Sequence, residues 1–218
     1  MELDAVSRAS AHIIRSQEEE IKRTALELHE GIAQNLYSLF TGIAFIQSEM
    51  KQPHLQSYTE GIADLVKRTI QEIQQLSVEL YPPTLQTLGL VAALKSYCKL
   101  FTATFGIVIT LKSEGKEFSL PEEQRMAVFK VCQKALMNIA QYADATEAYL
   151  FFTWSEKSLK IEIEDNGKGF NGQEAMNTDH FCELAGMEQR MMMVGGACRL
   201  LPAEGKGTKF SVVLPVQK

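Results

Sequence analysis

The stretch Leu26-Glu27-Leu28-His29-Glu30-Gly31-Ile32-Ala33-Gln34 stands inside a long helical pattern and decides how the first half of the chain is interpreted. After it, apolar residues recur at alternating steps of four and three, the spacing of a coiled-coil seam: Ile32, Leu36, Leu39, Ile43, Ile46 and Met50. Carried backwards, the same steps reach His29 and then Ala25. The sequence therefore predicts a helix with a histidine on or at the edge of its apolar stripe, and with Glu30 beside it.

A histidine next to an acid on a helix has a chemical interpretation. A neutral imidazole is a good nucleophile toward phosphorus if its other ring nitrogen can lose a proton, and an adjacent carboxylate can accept or polarise that proton. Gln34 lies four residues beyond Glu30, on the same face, where its amide would hold a water for the reverse, hydrolytic step. The alternatives are a solvated or a hydrogen-bonded core histidine. A zinc site of the H-E-x-x-H type is disfavoured, because Ala33 stands where the second histidine would be.

Composition sets the class of protein. With 218 residues, 45% hydrophobic and 22% charged, the chain has the length of one large or two small globular domains with a real core. A net charge of −5 argues against nucleic acid as the main partner. No stretch approaches the ~18 apolar residues of a membrane span, so none is expected in this chain.

The amino terminus and the cysteines point to a compartment. Met1-Glu2-Leu3-Asp4 has neither the basic nor the apolar region of a signal peptide. The four cysteines, Cys98, Cys132, Cys182 and Cys198, form no C-x-x-C pair, and buried free thiols are expected. We therefore predict a cytoplasmic protein.

Two long helical patterns make up the first part of the chain. The first runs from about Asp4 to Met50, and residues 1–22 are predicted as a helical connector, either a segment that carries a signal in or a solvated overhang. Lys51-Gln52-Pro53-His54 breaks the pattern, and a second one runs from Leu55 to Leu80 before Tyr81-Pro82-Pro83 stops it. Residues 23–83 are thus predicted as a helical hairpin. One hairpin cannot cover both apolar stripes, so we expect a homodimer in which two hairpins form a four-helix bundle.

The second part, residues 84–218, is predicted as an α+β domain with helices on one face of a mixed sheet. A capping hydroxyl at Ser119 and the early Pro121 are expected to begin one of its helices. The predicted helices cover residues 90–105, 121–142 and 186–194, and the predicted strands cover residues 107–111, 149–154, 159–164, 198–201 and 208–216.

Three short groups in this second part carry polar chemistry. Asn138 shares a helix face with Lys134 and Tyr142. Asp165, at the core-facing end of a strand and followed by glycines, is placed to accept a hydrogen bond from a buried exocyclic amine. Gly205-Lys206-Gly207-Thr208 is a glycine turn whose amides and hydroxyl would meet a phosphate. Taken singly, each group has a simpler interpretation: a surface amide, a tight turn and a hairpin loop.

Together, these motifs resemble the transmitter core of bacterial two-component sensor histidine kinases, in the class that includes the nitrate and membrane-fluidity sensors. The resemblance covers about Lys22 to the end of the chain. His29, Glu30 and Gln34 match the phosphorylated histidine, its acidic partner and the phosphatase-assisting amide of the motif H-[D/E]-x-x-x-Q. The passage from Leu80 to Leu90 is similar to the proline-rich link into the ATPase domain.

The resemblance also implies a nucleotide site in a Bergerat-type α/β sandwich ATPase domain, the fold shared with gyrase B and MutL. Asn138 matches the magnesium-binding asparagine of the family. The other residues expected to contact ATP are Tyr142, Asp165, Gly167, Gly169, Gly186, Gly205, Gly207 and Thr208. The expected cofactors are ATP and Mg²⁺. The expected partners are a second copy of the chain, the receiver domain of a response regulator, whose aspartate takes the phosphoryl group, and an upstream sensor protein or domain.

The chain departs from the family pattern at three places. Lys134 stands where an acid or amide is usual, Gln141 replaces a basic residue, and the run Glu183-Leu184-Ala185-Gly186-Met187 keeps only the second lid glycine. A lysine beside the metal-binding asparagine competes with the cation, and a carboxylate in the lid repels the phosphates; alternatively, Lys134 binds the phosphate in place of the basic residue that is usual at position 141. Two functions therefore stay open besides a plain scaffold: an autokinase, and a phosphotransfer or phosphatase adaptor with a degenerate ATPase domain.

Overall fold

The computed structural model describes residues 13, 16–17, 19–169, 178–202 and 207–215. The chain divides into two compact units, Met1–Pro83 and Thr84–Lys218. The predicted start of the first helix near Asp4 and much of the predicted connector, residues 1–22, lie outside the described residues.

The first unit is a pair of long helices. Helix α1 covers residues 19–49 and helix α2 covers Pro53–Leu80. Between them Met50 and Gln52 have extended backbone, and Pro53 occupies the first turn of α2. Proline is favoured at that position because its φ already suits a helix and the amide hydrogen it lacks would have no partner there. The second helix therefore begins two residues before the predicted Leu55.

The backbone of α1 widens within residues 26–34, around His29. Glu27–Ile32 form a π-helical turn, and the amide of Ala33 donates to the carbonyl of Leu28, five residues back. Such turns are rare and often occur at functional positions. Ala25 and Ala33 are buried, and the histidine between them is half-buried. The predicted position of His29 at the edge of the apolar stripe agrees with this burial.

A buried hydroxyl joins the two helices next to this turn. The Oγ of Ser77 on α2, which is fully buried, donates to the carbonyl oxygen of Ala25 at 2.9 Å. We expect Ser77→Ala to lower the free energy of unfolding by about 1–2 kcal/mol, because a buried carbonyl loses its partner. Urea unfolding followed by circular dichroism measures the change.

Ser38→Ala is the matched control for that substitution. The Oγ of Ser38 also donates to a helical carbonyl, that of Gln34, but it is exposed. We expect this variant to stay within about 0.5 kcal/mol of the wild type. Equal effects of the two substitutions would contradict a stabilising role for the Ser77 bond.

Large apolar side chains stay exposed along the first unit. Tyr37 on α1 is 51% exposed and Phe45 is 69% exposed, and Tyr58 on α2 is 70% exposed. Leu39, Ile46, Leu65 and Leu76 are more than half or half exposed as well. Exposed apolar runs of this kind are typical of surfaces that take part in protein–protein contacts.

The second unit is a five-stranded mixed sheet with helices on one face, as predicted. Its strands lie in the order β1-β2-β3-β5-β4; β1 and β2 are parallel, and the other neighbours are antiparallel. The strands are β1 (Val108–Glu114), β2 (Glu147–Trp154), β3 (Ser158–Asp165), β4 (Ala197–Pro202) and β5 (Thr208–Pro215). The helices are α3 (Thr84–Thr87), α4 (Leu90–Phe105), α5 (Glu122–Asn138), which continues as the π-helical turn Ile139–Ala143, and α6 (Thr178–Met193).

Alternation of side chains places the core between the sheet and the helices. Every second residue of β2 and of β3 is buried, and α4 lies against β1, α5 against β3 and α6 against β4. The other face of the sheet is polar: Lys209 pairs with Glu162 at 2.7 Å and with Glu164 at 2.6 Å. A sheet with one solvated face produces this period-two pattern, which made the strands recognisable in the sequence.

Three local predictions for this unit were wrong. Helix α6 begins at Thr178 rather than at Gly186, and α5 has Pro121, not a hydroxyl residue, at its N-cap. Cys182 is exposed, whereas the other three cysteines are buried. The early start of α6 has a tertiary cause, since Leu184 lines a pocket against α5 and burial there outweighs the polar composition of the segment.

None of the described helices combines the length with the apolar composition that spanning a membrane requires.

Candidate nucleotide pocket and candidate phosphoacceptor histidine

A pocket of about 250 Å³ opens in the second unit between α5 with its π-helical turn, α6 and the ends of β3, β4 and β5. Its lining is mainly apolar, with a few polar groups. Five of the predicted site residues line it: Asn138, Tyr142, Asp165, Gly169 and Thr208. A mostly apolar pocket with a few convergent polar groups is typical of a small-molecule site.

Asp165 supplies the buried charge of this pocket. Its Oδ1 accepts a hydrogen bond from the amide of Gly167 at 2.8 Å, and its Oδ2 is buried without a partner among the described residues. Burial raises the pKa of Asp165, while hydrogen bonds from Gly167 and Thr208 oppose that rise. A buried carboxylate oxygen without a donor is costly unless a ligand supplies one. The exocyclic amine of adenine fits this requirement.

Two glycines allow the backbone to approach closely around Asp165. A methyl group at Gly167 would overlap the carbonyl of Ala143. At Gly207, which has a φ of +78°, a methyl group would overlap the carbonyl of Asp165 itself. The amide of Lys168 donates to the carbonyl of Ala143 at 2.9 Å, which fixes the turn after β3 to the end of α5. Gly167 therefore needs glycine for packing, and Gly207 needs it for both packing and backbone conformation.

Asn138 and Tyr142 reach the pocket from the end of α5. Asn138 is the last residue of the α-helix, and Tyr142 lies on the π-helical turn that follows. Gln141, on the same turn, is exposed and does not line the pocket. An asparagine amide oxygen is a hard ligand of the kind that Mg²⁺ accepts, so Asn138 fits a role in holding the metal of Mg-ATP.

Lys134 and Glu183 pair with each other beside Asn138. The Nζ of Lys134 lies 2.6 Å from the Oε1 of Glu183. In the amide orientation that satisfies both its ends, the Asn138 Nδ2 donates to the Oε2 of Glu183 at 3.1 Å and to the carbonyl of Lys134 at 3.2 Å. From the sequence alone, Lys134 was expected to compete with the cation and Glu183 to repel the phosphates. In the structure they neutralise one another, and neither is a lone charge in the site.

The remaining predicted nucleotide residues are placed as follows. Gly186 lies on α6 and borders an adjoining groove with Lys134 and Glu183 rather than the pocket itself. Gly205 lies outside the described residues. Sequence reasoning missed the apolar wall of the pocket, which includes Met187 and Phe210. The motif around Gly186 contained Met187, but nothing in the sequence marked Phe210 as different from any core strand residue.

His29 lies in the first unit, and its ring is half-buried. The Nδ1 atom is buried and has no hydrogen-bond partner among the described residues, so Glu30 does not hold it in this structure. The side chains of Glu30 and Gln34 are both exposed. The π-helical turn thus leaves one ring nitrogen covered, with an acid and an amide in solvent nearby.

Comparisons with known proteins agree with this geometry. Residues 123–218 match the family described as histidine kinase-, DNA gyrase B-, and HSP90-like ATPase. The oxygen sensor histidine kinase NreB of Staphylococcus carnosus (strain TM300) is 30% identical over 204 residues, which cover 93% of this chain and 58% of that protein. The chain thus spans less than two thirds of that relative.

A solved structure supports the fold. The blue-light activated histidine kinase of Erythrobacter litoralis EL346 aligns with a TM-score of 0.51 and 15% identity, over 83% of this chain and 59% of that one. The predicted α+β fold with a helical first part is thereby confirmed. The matched ATPase family and the relative NreB indicate that the chain carries the transmitter core of a sensor histidine kinase, with a histidine kinase-like ATPase domain over residues 123–218.

Proposed function

We propose that the chain autophosphorylates His29 from Mg-ATP and passes the phosphoryl group to an aspartate of a response regulator. The observation that carries this proposal is the buried, unpartnered Oδ2 of Asp165 in a pocket of about 250 Å³. A carboxylate kept in such a place needs a donor from a ligand, and the pocket belongs to an ATPase domain.

The nucleotide would be held at three points. Asp165 would accept from the adenine amine, Gly169 would let the backbone approach the ligand, and Thr208, whose hydrogen bonds hold Asp165, lines the pocket. The amide oxygen of Asn138 would hold Mg²⁺, which when bound would supply positive charge to the phosphates. Tyr142 covers the ligand from the π-helical turn.

The phosphoryl step uses His29 as the nucleophile. Because Nδ1 is buried, the lone pair of Nε2 attacks the γ-phosphorus. A nitrogen–phosphorus bond forms, the bond from the γ-phosphorus to the bridging oxygen breaks, and ADP leaves with that electron pair. The ring becomes positively charged while Nδ1 keeps its proton, and the carboxylate of Glu30 stabilises this charge. Gln34, one turn further on, would orient a water that hydrolyses the aspartyl phosphate of the regulator.

The exposed apolar side chains of the first unit support a homodimer. A second copy that packs against Phe45 and Tyr58 would bury the run of apolar residues in a four-helix bundle. In this proposal residues 23–83 form the dimerisation and phosphotransfer hairpin, residues 84–218 form the ATP-binding domain, and residues 1–22 connect to an upstream sensor in the cytoplasm.

Incubation with γ-labelled ATP and Mg²⁺ tests the proposal. We expect the protein to acquire label that is stable to alkali and labile to acid, as a phosphoramidate is. We also expect millimolar Mg-ATP to raise the melting temperature, since a ligand that binds only the folded state stabilises it. The absence of both label and thermal shift would contradict the autokinase.

A second function is favoured by one observation. No basic side chain stands at position 141, and the lysine at position 134 is bound to Glu183 instead of being available to a phosphate. An adaptor would accept phosphate at His29 from a phosphorylated regulator without binding ATP. Transfer of label from a phosphorylated receiver domain, together with no thermal shift by Mg-ATP, would support this alternative.

A further inference from the structure

The side chains of Lys134, Glu183 and Asn138 form one connected cluster across two helices. Lys134 and Asn138 are one turn apart on α5, and Glu183 reaches them from α6. Glu183 uses one carboxylate oxygen toward the Lys134 ammonium at 2.6 Å, and with the Asn138 amide turned so that both its ends are satisfied, the other oxygen accepts from the Asn138 amide nitrogen at 3.1 Å. The cluster lies beside the nucleotide pocket, which Asn138 lines.

The partial burial of this pair makes each charge depend on the other. The side chain of Lys134 is 37% exposed and that of Glu183 is 25% exposed. A charge with that little solvent contact is destabilising without a partner, so the pair is expected to persist. As a pair, the two residues add no net charge to a site that must accept both a cation and a polyphosphate.

The carboxylate also determines how the Asn138 amide is turned. An amide has one donating and one accepting end, and exchanging them changes every hydrogen bond that the side chain makes. With Nδ2 committed to Glu183 and to the Lys134 carbonyl, Oδ1 is directed away from the carboxylate. The oxygen is the end that a hard divalent cation requires. Without Glu183 the amide would be free to present its nitrogen instead.

We propose that Glu183 is a positioning residue, which orients the amide of Asn138 so that its oxygen can bind the Mg²⁺ of Mg-ATP, while Lys134 neutralises the charge of Glu183. This inference rests on the proposed function of the pocket. It assigns a role to the lid acid, which the sequence marked only as a departure from the family pattern.

The test compares ATP binding with and without metal. Dissociation constants are measured by calorimetry on the full chain in excess Mg²⁺ and in EDTA, and the ratio of the two gives the tightening due to the metal. We expect Glu183→Ala to reduce this ratio by roughly tenfold or more, which is the usual effect of removing a residue that orients a metal ligand. Metal-free binding should not weaken, because the freed Lys134 favours the phosphates.

Three further variants test whether Glu183 acts by orienting the amide of Asn138 or in some other way. Glu183→Gln keeps an oxygen that can accept from Asn138 and should retain most of the metal effect. Lys134→Met leaves Glu183 in contact with Asn138 and should also retain it. Glu188→Ala removes an exposed acid of the same helix and should match the wild type.

The results distinguish a failure of this inference from a failure of the proposed function. If the wild type binds ATP more tightly with Mg²⁺ but Glu183→Ala shows the same ratio, this inference is wrong and the proposed function stands. If Lys134→Met loses the metal effect as fully as Glu183→Ala does, the pair only ties the helices together, and the inference is again wrong. If the wild type binds no Mg-ATP, both the proposed function and this inference fail.

Discussion

His29→Gln is expected to abolish labelling by γ-labelled ATP, with a loss of at least about a hundredfold that reaches the background of the assay. The reason is that an amide nitrogen has no lone pair able to attack phosphorus, and removal of a nucleophile is among the largest effects a substitution can have. Nucleotide binding should stay within about twofold of the wild type, since the pocket lies in the other unit. Acid-labile label is counted after a fixed time with Mg²⁺ present.

His54→Gln is the matched control for this substitution. His54 is an exposed histidine of the same unit, in the first turn of α2. Full labelling of this variant, with none in His29→Gln, would place the phosphate on His29. If His29→Gln still takes up acid-labile phosphate, from ATP or from a phosphorylated regulator, both the autokinase and the adaptor are wrong.

Asp165→Asn is expected to weaken Mg-ATP binding about 10- to 100-fold. The substitution replaces an accepting oxygen with a donating amide group where the adenine amine also donates, and it removes a charge-assisted hydrogen bond. The fold should survive, because a carboxamide has the same shape and its oxygen can still accept from the amide of Gly167. Calorimetry gives the affinity, and thermal unfolding, which we expect to be unchanged or raised, reports on the fold.

The raised pKa of Asp165 adds a dependence on pH. Binding needs the ionised carboxylate, so affinity should fall as the pH drops from neutrality through the raised pKa. The effect on stability has the opposite sign: because folding raises this pKa, the carboxyl group favours the folded state at low pH, and that contribution is lost as the pH rises through the raised value. Asp165→Asn should lose both dependences.

Glu164→Gln controls for charge on the same strand. Glu164 precedes Asp165 and lies on the polar face of the sheet, paired with Lys209. We expect this variant to bind Mg-ATP with wild-type affinity and pH dependence. Equal losses in the two variants would mean that Asp165 acts only through the general field of the domain and does not contact the base.

Local signals in the sequence were sufficient to predict most of the helices and strands. Helix α4 runs over Leu90–Phe105 as predicted, between Gly89 and a left-handed Gly106. The strands β2 and β3 alternate between buried and solvated side chains as their sequences do. Asp165 could be recognised as buried because it continues that alternation to the end of β3. These features depend on neighbours within a few positions, and the sequence shows such neighbours directly.

Other features depend on residues that are distant in sequence. The position of β5 between β3 and β4 depends on which strands pair with each other, and the period-two pattern of a strand does not specify its partners. The π-helical turn at His29 has a helical sequence like its surroundings, and the buried Ser77 hydroxyl that accompanies it comes from the next helix.

The sequence by itself determined the α+β class, the positions of most helices and strands, and the residue types of the candidate site, because hydrophobic period and turn chemistry are local properties of the chain. Only the tertiary structure decided that Lys134 and Glu183, 49 positions apart, neutralise each other and bind Asn138. Whether a charged side chain weakens or favours ligand binding depends on which other charge lies within a few ångströms of it. That distance is set by the packing of α5 against α6.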